Sequence, residues 1–278
     1  MSAVQGRDQV LRAAAFVDAH LAEALTVSAI ADAAGCSLYH FCRVFNAWTG
    51  HSPYDYLIRR RLTEAARAIV GTDRKLIDIG LDFQFNNPET FSRAFRRMFG
   101  MPPLQFRNRK LLDPRNLREP LTSEALDFPK TDARPLVIPE RRICGLAAWI
   151  PRTAAAIQEL WSQSAGEAAR ISGAAAVAAG QAYGLMVYPR DWPARGVFYL
   201  AGWEESSLPG EGPAWVRKAI PESSGWCAPL TQGWTQMTGA WSCLYQTAMP
   251  LAGCRPGDYE WHVVTEHGRV LLQVPAAR

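Results

Sequence analysis

Two sets of polar side chains in this sequence have the types and spacing of a recognition surface. Tyr39, Cys42, Arg43 and Asn46 fall at i, i+3, i+4 and i+7. On a helix that spacing gathers them on one face. The face is flat and mid-sized, which suits insertion into a major groove, and its arginine can bond a guanine edge or a phosphate. Glu89, Arg93, Arg96 and Arg97 make a second such face fifty residues later. A solvated helix surface carries the same residue types, so the elements behind the faces decide between the two readings.

Those elements form a repeat. SLYHFCRVFNAWTGHSPYDYLIRR begins at Ser37 and NPETFSRAFRRMFGMPPLQFRNRK at Asn87. Phe41 matches Phe91, Arg43 matches Arg93, Phe45 matches Phe95, Gly50 matches Gly100, Pro53 matches Pro103 and Arg59 matches Arg109. In the first copy Leu38, Phe41, Phe45 and Trp48 are expected inward. In the second, Phe91, Ala94, Phe95, Met98 and Phe99 are expected inward.

The surrounding chain reads as helices. Val10, Leu11, Ala14, Val17 and Leu21 repeat at helical spacing. Thr26 is placed to cap a short helix from Val27 to Ala34, Gly35 to turn, and Ser37 to cap the next helix. That order is helix–turn–helix. Pro53 opens a long helix to about Val70, amphipathic through Tyr54, Leu57, Ile58, Leu62, Ala65, Ala66 and Ile69. A strut of that length rises about 26 Å, enough to hold two reading helices one DNA turn apart, on the order of 34 Å. Leu76, Ile77, Ile79, Gly80 and Phe83 mark the first helix of the second unit, and Phe85-Asn86 its turn.

Charge supports a polyanion partner. Residues 1–118 hold 17 Lys and Arg against 11 Asp and Glu, and the remainder 13 against 15, so a net +4 conceals +6 and −2. Trp48 is the only tryptophan among the first 118 residues and the other nine follow, so two domains with different tasks are expected. Six cysteines show no CxxC and no zinc-like spacing with histidine. No signal peptide and no long apolar run is read, so a cytoplasmic protein with reduced thiols, no cofactor, no metal and no membrane partner is expected.

Residues 7–110 resemble the tandem helix–turn–helix domain of AraC/XylS-family transcription regulators. The carrying stretches are IADAAGCS, FCRVFNAWTGHSPYDYLIRRRL and IDIGLDFQFNNPETFSRAFRRMFGMPP. The resemblance implies base-facing residues at Tyr39, Cys42 and Arg43 in the first unit and at Pro88, Glu89 and Arg93 in the second. Asn46, Asn87, Thr90, Arg96 and Arg97 complete the expected DNA-facing set. Cys42 stands where close family members carry glutamine, and Pro88-Glu89 where they carry a glutamine pair. Glu89 repels phosphates unless it accepts from a cytosine amino group.

Asp113-Pro114, Glu119-Pro120 and Phe128-Pro129 punctuate residues 111–135, so a linker is expected over 113–133, between an all-α domain at 5–112 and a second domain at 134–278. Beyond it, Leu136–Ile138, Arg142–Ile150, Ala182–Tyr188 and Gly196–Trp203 read as strands around a helix over Ala154–Ala169, with Ile157, Leu160 and Trp161 inward. Trp215–Ile220, Gly225–Pro229, Tyr259–Thr265 and Arg269–Val274 read as strands around a helix over Thr235–Met249. Residues 171–182 read as a loop. Two β-α-β-β units in tandem predict one α+β domain with helices on one sheet face.

This half resembles the GyrI-like effector-binding domain, through YGLMVYPRD, GVFYLAGWEE, DYEWHVV and VLLQVP. That resemblance implies a ligand-facing glutamate at Glu260 in an aromatic pocket, with Trp149, Tyr183, Trp203, Trp226 and Trp261 as candidate walls, each of which also suits plain core. A lone buried carboxylate is costly, and a lipophilic cation would relieve it through charge and cation–π contact.

The two resemblances together imply a ligand-responsive regulator. It would bind double-stranded promoter DNA, sense a small apolar or cationic effector, and activate through RNA polymerase. A GyrI-like hydrolase using Glu260 as base, or a protein-inhibitor module, is the alternative for the second half.

Overall fold

The computed structural model describes residues 3–128, 133–173, 177, 181–189, 196–207, 214–265 and 269–277. The chain forms two units, Met1–Asp127 and Phe128–Arg278.

In the first unit the repeated phenylalanines build two cores on one shared helix. Helices α1 (Ala3–Ala19), α2 (Val27–Ala33), α3 (Leu38–Thr49) and the first half of α4 (Pro53–Gly71) enclose Val10, Val17, Ile30, Phe41, Phe45, Tyr56 and Leu57. The second half of α4, with α5 (Leu76–Asp82), α6 (Pro88–Phe99) and α7 (Pro103–Arg109), encloses Leu62, Ala65, Ile69, Ile79, Phe91, Phe95, Phe99 and Phe106. Burying such side chains contributes about 1.5–3 kcal/mol each, so the phenylalanine register fixes which helix faces remain outside.

The turn chemistry follows the sequence closely. Thr26 Oγ1 accepts from Ala29 N at 3.1 Å, and Gly35 turns at φ 72°. Gly50 and Gly100 end α3 and α6 in the left-handed region, at φ 72° and 78°, where a Cβ is disfavoured. Pro53 and Pro103 then open α4 and α7 at their first turns. Ser37 holds the N-cap position of α3 but its side chain makes no cap bond.

Two apolar residues expected inward lie outside: Leu38 and Tyr54 are 46% and 60% exposed. On α4 the inward tyrosine is Tyr56, whose hydroxyl donates to Asp18 and accepts from Leu121 N. Helical spacing alone does not report that polar partnership. Arg60 and Arg61 on α4 are also buried. Arg60 donates to Asp18, Glu64 and the Arg118 carbonyl, and Arg61 to the carbonyls of Leu21 and Glu23. They fasten the segment after α1 onto α4, and their charges are paired or hydrogen-bonded as burial requires.

The expected linker differs. Residues 113–127 include a 3-10 turn at Pro114–Asn116 and helix α8 (Ser123–Asp127). They pack on the first unit: Leu117 enters the second core, Leu126 the first, and Arg118 N donates to Thr63 Oγ1 at 2.9 Å. Prolines 114 and 120 mark irregular backbone; Leu117 between them and Leu126 beyond them anchor it.

In the second unit, strands β1 (Arg134–Ile138), β2 (Arg141–Ile150), β3 (Ala182–Val187), β4 (Val197–Glu204), β5 (Val216–Ile220), β6 (Ser223–Leu230), β8 (Tyr259–Val264) and β9 (Val270–Ala277) form an antiparallel sheet in the order β1-β6-β9-β8-β3-β4-β2-β5. The two-residue β7 (Arg255–Pro256) pairs with β9. The repeats β2-α9-β3-β4 and β6-α10-β8-β9, with α9 at Ala154–Ser172 and α10 at Met237–Cys243, meet where β3 pairs with β8, and each repeat's preceding strand pairs with the other repeat. Helix α9 (Ala154–Ser172) is regular and extends beyond the expected Ala169. The remaining expected loop lies largely outside the described residues. The second helix region is broken into a 3-10 turn (Gly233–Gln236), α10 (Met237–Cys243), a π-helical segment (Leu244–Ala248) and a last turn (Met249–Leu251).

Candidate functional site

The register of the two cores leaves one face of α3 and one of α6 outward. With Phe41 and Phe45 buried, Tyr39 is 80% exposed, Arg43 and Asn46 are exposed, and Cys42 is half-buried. With Phe91 and Phe95 buried, Pro88, Glu89, Thr90, Arg93, Arg96 and Arg97 are all exposed. Asn87 is exposed too, but its side-chain carbonyl accepts from Glu89 N at 2.7 Å and Thr90 N at 3.2 Å, so it caps α6.

Partnership distinguishes these arginines from most of their neighbours. Arg7, Arg59, Arg60, Arg67, Arg74 and Arg115 each hold a carboxylate, and Arg12, Arg61 and Arg107 hold backbone carbonyls. Among the described residues, Arg43, Arg93, Arg96 and Arg97 hold neither. Exposed guanidiniums without a carboxylate are free to meet phosphates or guanine edges without first breaking a pair.

In the second unit, strand alternation divides the predicted site. On β8, Glu260 and His262 face the helices, while Trp261 and Val263 face the other side of the sheet. Trp241 Nε1 donates to Glu260 Oε1 at 2.9 Å and the Tyr245 hydroxyl donates to Oε2. His262 Nε2 lies 3.2 Å from Oε1, and Arg152 Nη2 lies 3.9 Å from Oε2. The Arg152 guanidinium stacks 3.7 Å from the Trp241 ring centre, and its Nε donates to the Tyr188 hydroxyl at 2.8 Å.

Behind the carboxylate runs a chain of hydrogen bonds. Trp161 Nε1 donates to the Tyr199 hydroxyl at 3.0 Å, which lies 2.8 Å from His262 Nδ1. If that hydroxyl donates onward, the imidazole proton sits on Nε2 and points at Glu260, and every member is satisfied with His262 neutral; this tautomer is assigned from the bonding pattern. Gly184 makes room, since a Cβ there would collide with the Tyr199 hydroxyl.

Burial pushes the Glu260 carboxyl upward, but the Arg152 charge, the His262 contacts and the Tyr245 bond outweigh it and hold it at about 2. Burial lowers the Arg152 guanidinium, while Tyr188 and Glu260 raise it beyond its ordinary value. Glu260 is 0% exposed. It is therefore an ionised, internally paired carboxylate, and the expectation of a lone carboxylate is corrected: Arg152 supplies the counter-charge.

The expected walls are elsewhere. Trp149 is 57% exposed on the opposite sheet face, edge-on to Phe198. Tyr183 and Trp261, also on that face, flank the Arg141 guanidinium at 4.5 and 5.3 Å. Trp203 packs edge-on against Trp161, and Trp226 joins the core with Leu272 and Val274. None of the five bonds Glu260. Sequence reasoning missed the residues that do; the one signal for them is spacing, with Trp241 and Tyr245 at i, i+4 in the expected helix and His262 at i+2 from Glu260 in the expected strand. Arg152, Tyr188 and Tyr199 come from the other repeat, and no sequence spacing announced them.

A helix-turn-helix domain family model matches residues 30–109. SoxS, a regulatory protein of Escherichia coli K12, is 35% identical over 95 residues, covering 34% of this chain and 89% of SoxS. The right origin-binding protein of the same strain is 32% identical over 115 residues, 41% of this chain and 40% of that protein. The uncharacterized HTH-type transcriptional regulator YbfP of Bacillus subtilis is 38% identical over 92 residues, 33% of this chain. The chain thus spans 31% and 40% of the lengths of the last and the second of these relatives. An AraC-type DNA-binding regulator structure from Chromobacterium violaceum aligns with 37% of this chain and 91% of its own, at 26% identity and TM-score 0.36. With nearly the whole of SoxS matched, this protein belongs to the AraC family of helix-turn-helix transcription regulators.

Proposed function

We propose that this regulator grips promoter DNA with the exposed faces of α3 and α6 and that its second unit senses a small apolar or lipophilic cationic effector at the Glu260 cluster. The observation that carries the DNA half is the pair of outward faces whose arginines hold no carboxylate. Tyr39, Cys42, Arg43 and Asn46 form the first reading head; Pro88, Glu89, Thr90, Arg93, Arg96 and Arg97 form the second, opened by the Asn87 cap. Activation through RNA polymerase is part of the same reading and rests on family membership.

The effector half rests on an ionised carboxylate ringed by Trp241, Tyr245 and Arg152 at the seam between two repeats. A hydrolase with Glu260 as general base fits less well, because a carboxyl held at about 2 is a weak base near neutral pH.

The deciding experiment is fluorescence anisotropy with an operator selected by the full-length protein. Arg43→Ala and Arg93→Ala should each cost about 1–3 kcal/mol and relax preference at one base pair if the contact is to a base edge. Unchanged affinity in both variants would remove α3 and α6 as reading helices.

A further inference from the structure

The aromatic cage beside Glu260 already holds a cation, and that cation belongs to the chain. Arg152 stands between the end of β2 at Ile150 and Thr153, the N-cap of α9. Its guanidinium carbon lies 3.7 Å from the Trp241 ring centre and 5.6 Å from each of the Tyr188 and Tyr245 rings. One carboxylate, one indole face and two phenol rings are the surroundings a free organic cation would seek. Trp241 and Tyr245 reach the carboxylate as neutral donors, and His262 does so too in the assigned tautomer. At 3.9 Å the ion pair is longer than the Trp241 and His262 contacts to Glu260. The Arg152 side chain keeps 17% of its surface exposed while Glu260 keeps none, although the Nη2 that faces the carboxylate is itself buried.

We propose that Arg152 is a tethered stand-in for the effector. The cationic group of the ligand takes the place of the guanidinium over Trp241 and against Glu260, and Arg152 leaves the cage, displacing the junction between β2 and α9. One positive charge enters as one departs, so the carboxylate is never left uncompensated. The ligand class follows: a compact monocation with a flat or aromatic surround. A neutral compound cannot replace the charge. The inference rests on the reading of the Glu260 cluster as the effector site.

The test uses the full chain, with methylguanidinium chloride as probe and methylurea and sodium chloride as controls. Arg152→Ala should melt below the parent protein. Millimolar methylguanidinium should raise its melting temperature and change its tryptophan emission saturably, with an apparent affinity at least about tenfold above that of the parent, a difference of about 1.4 kcal/mol. Methylurea should do neither, and Arg152→Ala combined with Glu260→Gln should lose the response. Arg152→Gln, which keeps bulk without charge, carries the same test if the alanine variant does not fold. An equal response in parent and variant, a response that survives Glu260→Gln, or equal potency of methylurea overturns the proposal. Operator affinity of Arg152→Ala with and without probe separates the two readings: binding with no change at DNA keeps the stand-in and removes the sensor, while no binding removes the stand-in whatever the DNA shows.

Discussion

Replacing Glu260 with glutamine removes one charge while nearly preserving shape, and the structure sets the magnitude. The carboxyl is held at about 2 against an ordinary glutamate value of 4.5, with Arg152 the strongest of the groups that lower it. At about 1.4 kcal/mol per pH unit, that gap is worth roughly 3 kcal/mol of folding stability. The sign follows from proton occupancy. Between pH 2 and 4.5 the unfolded chain binds the proton and the folded chain does not, so stability rises with pH across that window. The contribution is complete above about 4.5, has lost about 2 kcal/mol by pH 3, and vanishes below about 2. Glu260→Gln should therefore cost roughly 3 kcal/mol at pH 7 and about 1 kcal/mol at pH 3, within the range for removing one partner of a buried pair. Urea unfolding followed by tryptophan emission measures this, since nine of the ten tryptophans lie beyond residue 118 and report on the second unit. A penalty equal at the two pH values, or below about 1 kcal/mol at pH 7, would refute the ion pair as the origin of the shift.

Three other outcomes follow from particular contacts. Gly184→Ala places a Cβ against the Tyr199 hydroxyl; it should cost about 1–3 kcal/mol and move the His262 ring nitrogen resonances, and unchanged resonances would dissolve the proposed hydrogen-bond chain. Asn87→Ala should destabilise the first unit by about 1 kcal/mol whereas Ser37→Ala should cost a few tenths at most, because only Asn87 makes a cap bond; equal melting temperatures for the two variants would contradict this. Mismatches in the half-site under α3 should weaken binding more than those under α6, where Pro88 and Glu89 open the reading face; equal penalties across a scanned operator would show two equivalent heads.

The sequence by itself determined the helical unit almost completely. A phenylalanine every fourth residue, a glycine five residues later and a proline three beyond that specify a buried face, a left-handed cap and a new helix. These are local constraints, acting within one or two turns, so they survive in one dimension. The same locality made Tyr39 and Arg43, or Arg93 and Arg97, legible as outward pairs. It misjudged Tyr54 against Tyr56, because the inward choice depended on Asp18 and the Leu121 backbone, both more than thirty residues away. It read 113–127 as a connection because the anchors of that segment, Leu117 and Leu126, find their cores only after α4 has formed. In the second unit the strands were legible in the sequence, and Glu260 through the resemblance to the GyrI-like domain. Tertiary structure alone decided what surrounds that carboxylate. Strand alternation sends Trp261 to one sheet face and Glu260 to the other, and pairing of β3 with β8 brings the first repeat's Tyr199 and the second repeat's His262 within hydrogen-bond reach. Arg152 stands 108 residues before Glu260. A charge pair across that distance is fixed by sheet topology and by the low-dielectric interior, which makes an ionised carboxylate acceptable only where a cation has been brought to it.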